Sequence, residues 1–159
     1  MITTRDADET RDFGAALAGV ARPGDQLVLI GPLGAGKTQF AKGFARGLGI
    51  DVVVNSPSFT LMAEYAGRLR LFHQDLYRLS GTAEALDGGL LDERGDEGVT
   101  LTEWGDRLDG GVGAGRLEVR ISVVSDDVRH IALRTDDIGR YEAYLAVADG
   151  WEARVQVLT

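Results

Sequence analysis

The segment Gly31 to Thr38, GPLGAGKT, constrains this chain more than any other. A glycine, four further residues and then Gly36-Lys37-Thr38 form a phosphate-binding pattern. Its glycines let successive backbone N–H groups turn inward around a phosphate chain, its lysine adds a point charge and its threonine offers a hydroxyl to Mg²⁺. Given 22 glycines and only two lysines, Lys37 and Lys42, composition alone yields the pattern in roughly three of every thousand such chains. The flanks suit it. Gln26 to Ile30, QLVLI, is a nearly all-apolar run of the kind that forms a buried parallel strand. From Lys37 to Leu48, Phe40, Phe44 and Leu48 repeat on one helical face until Gly49 stops it. Strand, glycine loop and helix follow in order, and the helix points its positive end at the same anion.

The rest of the chain reads as one α/β domain over residues 1–159. Asp6 to Val20 predicts a helix, with Phe13, Leu17 and Val20 at helical spacing and acidic residues in the first turn, and Pro23-Gly24-Asp25 ends it. Val52 to Val54 predicts a short strand, followed by a turn at Asn55-Ser56-Pro57-Ser58. Phe59 to Tyr65 and Arg68 to Asp75 predict a hairpin around Ala66-Gly67, with Leu69, Leu71, His73 and Asp75 sharing one face of the second strand. Val99 to Glu103 predicts another strand. Leu79 to Asp96 mixes helical and loop signals, and Gly110 to Gly115 forms a glycine-rich link. Leu117, Val119, Ile121 and Val123 alternate with polar residues, and Ile131 and Leu133 resume the pattern after an Asp126-Asp127 turn. The tail from Ile138 favours neither helix nor strand. The expected fold is a three-layer P-loop type with a central mixed sheet, its antiparallel strands in the C-terminal half.

Composition narrows the function. The absence of cysteine excludes zinc fingers, iron–sulfur clusters and thiol nucleophiles, and fits a cytoplasmic protein. No apolar run approaches a membrane span, and Met1 to Thr10 is too polar and acidic for a signal peptide. A net charge of −8 disfavours direct clamping onto a phosphate backbone, so any nucleic acid is expected to be held by a partner.

A phosphate-binding loop needs a carboxylate near its metal, at the end of a neighbouring strand. Asp75 ends LRLFHQD and Glu103 ends VTLTE, and both are candidates to hold magnesium or position water. His73 can hydrogen-bond Asp75 from the same face or serve as a satisfied, partly buried histidine, and Arg78, one turn beyond, can reach a γ-phosphate or be an ordinary surface arginine. Pro57 fixes a hydroxyl-bearing loop at Ser56 and Ser58, while Trp104 reads as packing. Asn55 is the only asparagine, so the Asn-Lys-x-Asp guanine reader is absent and adenine is the expected base.

Four ordered motifs carry a further resemblance: GPLGAGKT, SPSFTL at Ser56 to Leu61, HQDLYRL at His73 to Leu79, and Glu103-Trp104. Together with Glu9-Thr10 before Phe13-Gly14, they resemble the TsaE (YjeE) family of ATPases in bacterial tRNA threonylcarbamoyladenosine synthesis. The likeness covers about two thirds of the chain by these motifs. It implies binding and hydrolysis of ATP with Mg²⁺, in a complex with TsaB and TsaD that contacts the tRNA. It further implies that Gly31, Leu33, Gly34, Ala35, Gly36, Lys37, Thr38 and Gln39 bind nucleotide. Thr38, Glu103 and Asp75 would serve the metal, with Asp75 the essential acid. Ser56-Pro57-Ser58 would act as a switch loop, Trp104 would lie beside the site, and Thr10 would line the adenine pocket. Pro32, Ser58 and Gln39 depart from the family's usual residues without removing a required group. Two other readings of the same loop are a small-molecule kinase, with Leu79 to Arg94 as its lid, and an ATP-binding adaptor without turnover.

Overall fold

The computed structural model describes residues 1–32, 34–51, 54, 62–75, 98–104 and 115–158, with backbone alone for 62, 75, 104 and 152–158. In chain order the elements are β1 (Ile2–Thr4), α1 (Ala7–Ala18), β2 (Gln26–Ile30), α2 (Lys37–Gly47), β3 (Met62–Tyr65), β4 (Arg70–Asp75), β5 (Gly98–Trp104), β6 (Leu117–Val123), β7 (Arg129–Thr135) and α3 (Ile138–Leu158). The strands form one seven-stranded sheet in the order β1-β7-β6-β2-β5-β4-β3. β2 lies at its centre, parallel to β5 on one side and to β6 on the other, and β4 is parallel to β5. The pairs β3–β4, β6–β7 and β1–β7 are antiparallel. The sheet is therefore mixed, as expected.

One face of the sheet meets all three described helices. Phe13 and Leu17 of α1 and Phe40 and Phe44 of α2 pack with Leu27, Leu29, Leu71, Leu101, Val119 and Ile121, each large side chain contributing about 1.5–3 kcal/mol by its burial. The three helices of the described residues meet this one face. Val28, Ile30 and Phe72, on the opposite face, are buried as well. α1 starts on Asp6, whose side chain accepts from the Glu9 N–H, and its last carbonyls receive the Arg68 guanidinium, 2.6 Å from Ala18 O. α1 and α2 approach closely because glycines line their contact. A Cβ at Gly14 would stand 2.5 Å from Phe40 O, and one at Gly43 would overlap the Arg11 carbonyl.

Three expectations change. The tail is helical: Gly139, Gly150 and scattered apolar residues obscure its period, yet Tyr141, Tyr144 and Trp151 are buried on one face, with Trp151 edge-on to Phe13. β1, only three residues long, gave no readable pattern and pairs at the sheet edge with β7. Arg68 lies in the turn between β3 and β4 rather than in a strand. Residues 52–53, Phe59 to Met62, Leu79 to Asp96 and 110–114 lie outside the described side chains.

A polar clamp ties α3 to the start of β2. The fully buried Asp25 accepts from the Arg22 N–H at 2.9 Å and the Tyr144 hydroxyl at 2.6 Å. Arg140 pairs with its other oxygen at 2.9 Å without hydrogen-bond alignment. At the bend in α3, the Tyr141 hydroxyl donates to Gly115 O at 2.7 Å and accepts from the Gln26 N–H at 3.1 Å. Burial, and then the bond to the Asp25 carboxylate, push the Tyr144 hydroxyl far above the ordinary tyrosine range. Because the folded value is the higher one, the unfolded chain loses this proton first, near pH 10. The clamp's contribution is therefore whole below about pH 10 and is lost progressively above it.

Chemical denaturation across pH should accordingly show stability falling above about pH 10, and less steeply in Tyr144→Phe, which also costs about 1–3 kcal/mol at neutral pH. Gly43→Ala should cost about 2 kcal/mol or more by forcing α1 and α2 apart. Gly150→Ala, with nothing within 4 Å of the added methyl, should instead add about 0.5–1 kcal/mol.

Candidate active site

Where β2 ends, the chain turns tightly under β6. A Cβ at Gly31 would stand 2.6 Å from Ile121 O, so only glycine fits. Ala35 N–H closes a turn onto Pro32 O at 3.0 Å, and Gly34 and Gly36 follow at φ 82° and 106°, values that L side chains rarely adopt. Gly36 then caps α2 with no side chain, so no side chain competes for the first-turn N–H groups. Lys37 opens the helix and folds back to donate to the Gly31 and Pro32 carbonyls. Thr38 follows it on the half-buried first turn. Leu33 lies outside the described residues.

The parallel strands bring the two carboxylate positions to the same sheet edge. Glu103 on β5 is paired in register with Leu29 on one side and with Asp75 of β4 on the other, so neighbouring backbones stand about 4.8 Å apart. Only the backbone of Asp75, and of Trp104 beside it, is described. Glu103 is 4% exposed, and its Oε2 lies 2.5 Å from Nε2 of the fully buried His73. His73 thus bonds across to β5. In register it faces Leu101, which places Glu103 next along the same face. Ser56, Pro57, Ser58 and Arg78 lie outside the described residues.

These donors suit magnesium better than a protein-caged metal. Among the described residues no three His, Asp or Glu side chains gather as a ligand set. Mg²⁺ is commonly held by one or two carboxylates together with substrate phosphates, and Glu103 presents a buried carboxylate one strand away from the loop-bearing β2. Thr38 and Glu103, with Asp75 in register, are the residues that would hold it.

Thr10 of α1 reaches the loop from the other side. Its buried hydroxyl lies 2.8 Å from that of Thr4, and with Gly34, Gly36, Gln39, Asp126 and Arg129 it lines a cleft of about 130 Å³. That is below the roughly 300 Å³ at which whole-ligand pockets begin, so the cleft can seat one end of a nucleotide. Arg11 donates to the Gln39 side-chain carbonyl and fixes it at this wall.

Sequence reasoning missed Arg129. Its guanidinium donates to Ala35 O at 2.9 Å and Gly34 O at 3.3 Å in the loop, and to Ser125, Asp126 and Val128 carbonyls in the β6–β7 turn. Holding the Ala35 carbonyl turns the Gly36 N–H of the same trans peptide the opposite way. No local pattern marks this residue's link to the loop, since Gly34 and Ala35 lie more than ninety positions away. Arg129→Ala should weaken ADP binding about tenfold in a calorimetric titration, and Arg129→Lys should recover only part, because an ammonium lacks the fork.

The loop and its neighbouring strands have counterparts in known proteins. The sequence model of the family described as "Threonylcarbamoyl adenosine biosynthesis protein TsaE" matches residues 4–131. The tRNA threonylcarbamoyladenosine biosynthesis protein TsaE of Bacillus subtilis is 44% identical over 140 residues, covering 87% of each chain. That of Treponema pallidum is 38% identical over 130 residues, covering 82% of this chain and 96% of its own. The crystal structure of Bacillus subtilis YdiB superposes with a TM-score of 0.73 at 36% identity, covering 93% of this chain and 92% of that one. From its glycine loop through β7, this chain belongs to the TsaE family.

Proposed function

We propose that this chain is the Mg²⁺-dependent ATPase of a tRNA threonylcarbamoyladenosine-synthesising complex. The observation that carries the reading is the register that sets Glu103 beside the strand delivering Gly31 to Thr38 and the Asp75 position one strand further along the same edge. Lys37 exchanges its bonds to the Gly31 and Pro32 carbonyls for oxygens of the β- and γ-phosphates. The loop amides up to Thr38 take further phosphate oxygens, and the base end lies toward the cleft at Thr10 and Gln39. The metal, when bound, neutralises charge that develops on the phosphates. Asp75 and Glu103 then orient it and the attacking water.

The transfer to tRNA belongs to the partners, which we take to be TsaB and TsaD, and they rather than this acidic chain contact the nucleic acid. Such a role places the protein in the cytoplasm, and no described helix is long and apolar enough to cross a membrane. A phosphate loop whose catalytic set is completed by a partner turns over slowly alone.

The decisive assay is ATP hydrolysis with Mg²⁺ by the purified chain, alone and then with TsaB, TsaD and tRNA. The expected outcome is weak solo turnover with strong stimulation by the partners. In the stimulated assay Asp75→Ala and Glu103→Gln should lower kcat about 10²-fold or more, while Lys37→Ala should abolish nucleotide binding. Vigorous solo turnover indifferent to the partners, with phosphate transferred to a small acceptor, would instead establish a kinase. ATP and partner binding with no hydrolysis in any combination would establish an adaptor.

A further inference from the structure

His73 is the one described residue at this sheet edge whose chemistry the proposed function leaves unused. It is wholly inaccessible, yet Nδ1 has no hydrogen-bond partner among the described residues, and Nε2 lies 2.5 Å from Glu103 Oε2. A position needed only for packing between Leu71 and Leu101 would be filled at less cost by an apolar side chain, because a buried polar atom without a partner is destabilising. A carboxylate only accepts, so in this contact Nε2 is the donor and Glu103 Oε2 the acceptor.

We propose that His73 is a positioning residue that fixes the Glu103 carboxylate for the divalent cation. The inference rests on the reading of Glu103 as a metal-side carboxylate. A glutamate has three rotatable side-chain bonds, and β5 alone sets only the direction in which the side chain leaves the sheet. One bond from a rigid ring on the neighbouring strand selects one rotamer and takes up Oε2. Oε1 keeps no hydrogen-bond partner among the described residues. His73 is well suited to hold it. Its backbone is locked by pairing with β3 on one side and β5 on the other, and its ring lies in the packed face of the sheet. Hydrogen bonds from such outer partners orient ligating carboxylates, and losing one typically weakens metal affinity 10- to 100-fold.

The test is calorimetric titration of Mg²⁺ into the full-length chain saturated with ADP, beside ADP titration in the presence of a chelator. Glu103→Gln, His73→Leu and His73→Gln are compared, because a glutamine amide places a donor near the position of Nε2. Glu103→Gln should weaken Mg²⁺ binding. His73→Leu should weaken it about 10- to 100-fold while leaving metal-free ADP affinity within about threefold, and His73→Gln should restore most of the loss. If Glu103→Gln weakens metal binding and His73→Leu does not, the inference is overturned while the reading of Glu103 stands. If Glu103→Gln has no effect, that reading falls and the inference with it. Equal losses of metal and metal-free nucleotide binding in His73→Leu, or no rescue by His73→Gln, would reduce His73 to packing and also overturn the inference. Should His73→Leu fail to fold, His73→Met supplies the donor-free side chain for the same comparison.

Discussion

Everything at the candidate site depends on β2 running parallel to both of its neighbours. Parallel strands end on the same edge of a sheet, and β2, β4, β5 and β6 share one direction. The glycine loop after Ile30, the carboxylate positions Asp75 and Glu103, and the exit of β6 toward Arg129 therefore converge without any of them being close in sequence. In open α/β sheets, ligands bind outside the carboxyl ends of the strands for this reason. An antiparallel partner beside β2 would have delivered a strand start there instead. The antiparallel pairs are confined to β3–β4 and to the β6–β7–β1 side, so they extend the sheet without disturbing the converging ends.

The loop is then held by opposing constraints. On the β6 side it is pressed so close that Gly31 admits no side chain, and Arg129 anchors the carbonyls of Gly34 and Ala35 to the β6–β7 turn. On the helix side, glycines at the α1–α2 contact set the two backbones close together, which brings Thr10 against the loop and keeps the α2 N-terminus aimed at the sheet edge. Neither constraint involves a side chain that would itself touch a phosphate. They supply rigidity, so that little ordering remains to be done when an anion arrives.

Much of this was legible in the residues. QLVLI, the glycine pattern and the Phe40–Phe44–Leu48 stripe specify strand, loop and helix through strong local periods, and the structure has them within a residue or so. Asp75 and Glu103 were readable as strand ends. That the two are register neighbours was not, because pairing is decided by contacts between strands far apart in the chain. The bond from His73 to Glu103 was hidden for the same reason, since it crosses the ladder to β5, thirty residues away in the chain. Arg129 left no trace at all, since five carbonyl acceptors in two loops have no side-chain signature. α3 was obscured by Gly139 and Gly150 and by apolar residues facing several directions.

The two ends of β2 divide the work of the molecule between them. At the C-terminal end the chain accepts glycines at positive φ, a buried histidine with a nitrogen unpartnered among the described residues and a nearly inaccessible glutamate. The buried histidine nitrogen and the nearly inaccessible carboxylate are costs to stability that a purely structural edge would not carry. At the N-terminal end Asp25 is equally buried, but it is met by a backbone N–H, a tyrosine hydroxyl and a guanidinium, and Tyr141 closes the neighbouring Gln26 and Gly115 groups. Polar groups there are met within the protein, Asp25 Oδ1 by the Arg140 ion pair alone, whereas those at the opposite end leave capacity for something else to bind. The clamp also draws α3 onto α1, where Trp151 meets Phe13. The helix that shares its glycine-lined contact with α2 is therefore braced from behind by the end of the sheet farthest from the loop. Charge is matched within the protein at one end of the central strand, and at the other a buried carboxylate beside a glycine loop leaves capacity for a ligand.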